Sequence, residues 1–142
     1  MKGFTLPEVL LVVAAAAAVA MLTVPVGLRF FQSQTLDEAT ADIVLALRQA
    51  RSQAVTQKND SAFGVKFLAS SFVVFQGGSY ASRVPSEDET HPLPSGASVG
   101  GPDEVVFAKL TGIPDAAGTI TVGAGGDVFG VGINAQGNVE RQ

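Results

Sequence analysis

The sequence predicts an α+β fold, in which a long N-terminal helix packs on an antiparallel β-sheet domain. Three observations point there. Residues 9–28, "VLLVVAAAAAVAMLTVPVGL", form twenty consecutive positions without a charge. Residues 36–54 carry apolar side chains at helical spacing. From Asn59 onward the period shortens to two, and Gly-rich turns separate short β-branched and aromatic runs.

The first segment sets the class of the chain. Hydrophobic residues make up 46% of the sequence and charged ones 15%, and this run causes the imbalance. At about 1.5 Å per residue, twenty residues span about 30 Å, the thickness of a bilayer core. A secretory signal would have a shorter apolar core and a small-x-small cleavage site, which "MLTVPVGLRFF" does not supply. A buried soluble helix of this length would be less uniformly apolar. The expectation is a transmembrane helix, with Lys2 keeping the N-terminus cytoplasmic.

Glu8 is the one ionisable residue between Lys2 and Arg29. "TLPE", Thr5 to Glu8, has the form of a capping box, with Pro7 in the first turn where its missing N–H costs nothing. A cap explains a glutamate, yet glutamine would serve there too. A carboxylate at the edge of hydrocarbon calls for a positive partner.

Residues 2–13, "KGFTLPEVLLVV", resemble the class III signal of type IV pilins and type II secretion pseudopilins. That signal has a basic residue, Gly, Phe-Thr-Leu, a variable residue, Glu and about twenty apolar residues. The resemblance implies cleavage between Gly3 and Phe4 by a prepilin peptidase and N-methylation of Phe4. It implies that Glu8 meets the amino group of a neighbouring subunit during assembly. The glycine also lets a protease approach the backbone closely. The implied partners are other pilin or pseudopilin subunits, the prepilin peptidase, an inner-membrane assembly platform and membrane lipid. The implied location is the cytoplasmic membrane, single-pass with the N-terminus inside, and then a periplasmic or cell-surface filament.

The expected organisation is a leader at 1–3, a transmembrane half-helix at 4–28, an amphipathic half-helix at 29–58 and a β-rich domain at 59–142. Pro25 and Gly27 mark a kink at the membrane exit. The helix is expected to continue as one pilin-type helix from about Thr5 to about Gln57. "TLDE" at 35–38 is a second capping box, so a break near Gln34 is the alternative. Leu36, Ile43, Leu47, Ala50 and Ala54 form the stripe that covers the sheet.

In the β-rich part, "SAFGVKFL" and "SFVVFQGG" read as a hairpin, and "GGSYASRVPSEDETHPLPSGASVGG" as a long loop or a loop with a short edge strand. "EVVFAKL" is a further strand. "GTITVGAGGDVFGVGINAQGNVERQ" holds two more, with turns at Ala124-Gly125-Gly126 and Gln136-Gly137, and then a short last strand. This order and the ending "INAQGNVERQ" resemble H-type pseudopilins and FimT-type minor pilins.

Catalytic and ligand chemistry finds little support. His91 is the only histidine and has Ser86 and Asp88 nearby in sequence, without a nucleophile elbow. "GAGGDVFGVG" lacks the Lys-Ser/Thr of a phosphate-binding loop. Glu87, Asp88, Glu89, Asp103 and Glu104 match no calcium-loop spacing. Cysteine is absent, which excludes disulfides and thiolate metal sites. Residues 29–142 hold eight Lys/Arg against twelve Asp/Glu, a balance that does not attract nucleic acid. No enzyme activity, cofactor or metal is expected. The expected function is a structural filament subunit, a minor pilin or pseudopilin. The alternatives are a major pilin or a bitopic membrane-anchored binding module that forms no filament.

Overall fold

The computed structural model of the chain describes residues 5–142, apart from residues 22–32 within the helix. Helix α1 has the bounds Leu6–Val55, and its described residues fall in two stretches, 6–21 and 33–55. This corrects the expected long pilin-type helix with a transmembrane half. Among the described residues no helix is long and apolar enough to cross a membrane. The described apolar stretch, 6–21, has sixteen residues, a rise of about 24 Å against a hydrocarbon core of about 30 Å. The kink assigned to Pro25 and Gly27 lies outside the described residues, as do Gly3 and Phe4.

The second stretch follows its stripe. Leu36, Ile43, Leu47, Ala50 and Ala54 are all buried, and Ala39, Val44 and Ala46 widen the buried face. Thr40 is buried among them and satisfies its hydroxyl by donating to Leu36 O at 2.8 Å. After Val55 the chain turns through Gln57, Asn59 and Asp60, all at positive φ. Asn59 is anchored there by donating from Nδ2 to Gln76 Oε1 at 2.7 Å.

Eight strands follow: β1 (Phe63–Phe67), β2 (Ser71–Gln76), β3 (Glu89–Pro92), β4 (Ser98–Gly100), β5 (Glu104–Phe107), β6 (Gly118–Ala124), β7 (Asp127–Ile133) and β8 (Val139–Arg141). They form two four-stranded antiparallel sheets, ordered β3-β2-β1-β5 and β4-β6-β7-β8, where the sequence led us to expect one. The break has a local cause. Residues 113–115 double back along the outer edge of β5. Ala108 N donates to Ile113 O and Asp115 N to Val106 O, both at 2.9 Å. Val106 N donates to Asp115 Oδ1 at 2.8 Å. The edge is thereby satisfied within its own connection, so β6 cannot add to it and begins a second sheet.

The alternation read in β1 is real: Phe63, Val65 and Phe67 face the helix, with Phe72 and Val74 of β2 beside them. Ile120, Val122, Val131, Ile133 and Val139 supply the second sheet's share of the same core. β2 is buried on both faces. Its outward residues, Val73 and Phe75, lie at 3% and 0% exposure because the loop 77–88 folds over them. Tyr80 meets Phe75 edge-on at 5.6 Å, and the Arg83 guanidinium lies 3.9 Å over the Tyr80 ring. Gly64 makes this possible, since a Cβ there would come within 2.7 Å of Phe75 Cζ and 2.8 Å of Val105 O.

Among the described residues the core cluster begins at Leu36. A fragment starting near Arg29 is therefore expected to be soluble and to unfold cooperatively. Far-ultraviolet circular dichroism with thermal melting checks this, and a non-cooperative melt would count against it.

Candidate functional site

The sequence-predicted residues Thr5, Pro7 and Glu8 lie at the start of α1. Thr5 takes the N-cap position in extended conformation, with φ −82° and ψ 149°. Pro7 sits in the first turn, and Glu8 N donates to Thr5 O at 3.0 Å. Glu8 turns its carboxylate back so that Thr5 N–H donates to Oε2 at 3.5 Å, a long bond that leaves most of the carboxylate's acceptor capacity unused. Glu8 is exposed. The positive end of the helix dipole adds to the attraction there.

Behind Glu8 the helix offers apolar surface on all sides. Leu6, Leu11 and Met21 are exposed at 75%, 71% and 78%, and Val9, Leu10, Val12, Val13 and Val19 are exposed as well. These exposed apolar residues take no part in the core cluster.

The other sequence candidates separate in space. Ser86 lies in the turn Pro85–Glu87, whereas His91 lies on β3 and stacks on Phe72 with centroids 5.0 Å apart. His91 pairs with Phe72 across β2 and β3, on the short edge strand that one reading of this loop allowed. Its Nε2 is 3.4 Å from Glu89 Oε1 without hydrogen-bond geometry. The acidic run also diverges. Glu87 faces Lys58 at 3.9 Å, Asp88 takes a 2.7 Å bond from Arg83 Nε, and Glu89 accepts from Gln49 Nε2 at 2.8 Å. Glu104 instead accepts from Tyr80 N at 3.4 Å. The hydrogen bond from Arg83 to Asp88 raises the arginine pKa, which fixes its charge over Tyr80. Gly125 and Gly126, at φ +61° and +99°, form the tight turn between β6 and β7.

A feature that sequence reasoning missed is the attachment of the C-terminal turn to the helix. Arg48 donates from Nε and Nη2 to Val139 O at 3.3 and 2.8 Å. Arg51 donates from Nη1 to Asn138 Oδ1 at 3.0 Å and from Nη2 to Gln136 O at 2.9 Å. Arg141 pairs with Asp37. The signal available was the placement of Arg48 and Arg51 off the apolar stripe, three residues apart, which sets both on one flank of the helix.

The hydrogen bond from Arg141 holds the Asp37 carboxyl below the ordinary carboxylate range. Its contribution to stability is thus present above the unfolded value of about 3.9 and is lost as pH falls through the lowered folded value. Both groups are exposed, so salt screens the effect. Asp37→Asn is expected to flatten the fall in melting temperature between neutral pH and pH 2 at low salt. An equally steep fall in the variant would remove this pair from the account.

No protein family, curated protein or solved structure matches this chain.

Proposed function

We propose that this chain is a structural subunit, a minor pilin or pseudopilin, of a type IV pilus, type II secretion or related filament. One observation carries the reading: the exposed apolar residues 6–21 headed by the lone, half-satisfied carboxylate of Glu8. Such a surface is covered in the working state, and a carboxylate at its tip selects a covering partner that brings a positive charge. The signal-like residues Lys2 to Glu8 supply that charge in principle. Cleavage after Gly3 creates a new amino group at Phe4, which Glu8 of a neighbouring subunit can meet. The proposed partners are further subunits, the prepilin peptidase, an assembly platform and lipid. The proposed location is the cytoplasmic membrane before assembly and a periplasmic or surface filament after it.

Glu8→Gln separates this role from helix capping. The amide still accepts the Thr5 N–H. It cannot neutralise an ammonium, and an unpaired charge in apolar surroundings costs several kcal/mol, roughly. The variant is expected to be made and cut normally but to be lost from sheared filament fractions. Equal incorporation of variant and wild type would reduce Glu8 to a cap.

A further inference from the structure

Among the described residues, Arg48 and Arg51 meet only neutral oxygens. Their acceptors are Val139 O, Gln136 O and the Asn138 amide oxygen, and no described carboxylate pairs with either positive charge. Arg51 Nε is buried and has no hydrogen-bond partner. Beside them a cleft of about 320 Å³ opens, lined by Arg48, Arg51, Ser52, Val55 and Thr56. Val55 is 42% exposed and gives the cleft an apolar wall. Earlier on the same helix, Glu38 and Asp42 lie one turn apart, both exposed. Neither has a hydrogen bond or ion pair among the described residues.

One chain cannot neutralise itself across this helix. Asp42 and Arg48 are six residues apart, about 9 Å of rise, whereas side chains that meet on a helix are three or four apart. We infer that the Arg48–Arg51 cleft receives Glu38 and Asp42 of a second copy of this chain. Local charge complementarity argues for a second copy, because Glu38 and Asp42 present two exposed carboxylates one helical turn apart to two arginines three residues apart. The two surfaces differ, so the contact is heterologous and can repeat from copy to copy without closing. The inference rests on the filament-subunit reading and names a contact within it.

The chain has no cysteine, which permits a clean cross-linking test. Ala41, between the two carboxylates, and Ser52, in the cleft, are both exposed. Full-length Ala41→Cys and Ser52→Cys chains, co-expressed and mildly oxidised, are expected to give a mixed disulfide dimer. The double variant is expected to give a ladder. Adding Glu38→Lys and Asp42→Lys to the Ala41→Cys chain is expected to spare the fold, since neither carboxylate has a partner among the described residues. It should lower the mixed dimer about tenfold. Salt at 1 M, where screening acts within about 3 Å, should lower it as well. Two outcomes would overturn this contact alone: self-association without a mixed dimer above that of a Ser70→Cys control, or a yield indifferent to charge reversal. Retention of duplex DNA that Arg51→Gln abolishes, with no mixed dimer, would assign the cleft to a polyanion. Absence of any self-association would overturn this contact and the filament reading together.

Discussion

Gly137→Ala is expected to destabilise the domain by about 2–5 kcal/mol, a large part of a typical stability of about 5–15 kcal/mol. Gly137 sits at φ +80°, where an L side chain costs about 1–2 kcal/mol. Space is the larger problem. A Cβ would stand 2.2 Å from Gly112 O and 2.9 Å from Arg51 Nε. The carbonyl belongs to a buried backbone turn and Arg51 is tied to Gln136 O, so neither can move without breaking a bond. The C-terminal turn would lift off the helix and take the Arg48 contact to Val139 with it. Gly126→Ala is the control. It has φ +99° but nothing within 4 Å, so only backbone strain applies. Chemical denaturation of both variants should show Gly137→Ala as clearly the weaker protein. Equal midpoints would contradict the packing described here.

Leu47→Ala is expected to cost about 2–5 kcal/mol. Leu47 is fully buried in the cluster that joins α1 to both sheets. The two sheets are not continuous, so the helix stripe is what unites their inner faces. Removing its central side chain leaves a cavity bordered by rigid strands that collapse poorly. Leu45, two residues earlier, is 64% exposed, and Leu45→Ala should change stability by less than about 0.5 kcal/mol. A comparable loss from both substitutions would mean that the helix does not present the face assigned to it.

What the sequence revealed followed from local rules. The stripe from Leu36 to Ala54 and the alternation Phe63, Val65, Phe67 were legible because periodicity reports which face is buried. Turns at Gly125-Gly126 and Gly137 were legible because positive φ selects glycine. The division into two sheets was not legible. It depends on Ile113–Asp115 satisfying the β5 edge, a long-range choice that no pattern in "AKLTGIPD" announces. β3 was only half visible, because "ETHP" is polar and joins the sheet through backbone bonds to β2. The apolar run was read as a membrane-spanning half-helix on its length, and the described residues do not form such a helix. At the functional end, Glu8 stood out as a lone charge. The Arg48 and Arg51 contacts did not, since their acceptors are main-chain and amide oxygens ninety residues away or nearly so.

The central claim is that this chain is a filament subunit made by cutting after Gly3. Intact-mass measurement of the protein extracted from membranes of peptidase-competent cells tests it most directly. The account predicts a chain beginning at Phe4, heavier by one methyl group, that reverts to the uncut mass when the peptidase is removed. A chain that keeps Met1 or begins at Lys2 in competent cells would contradict it.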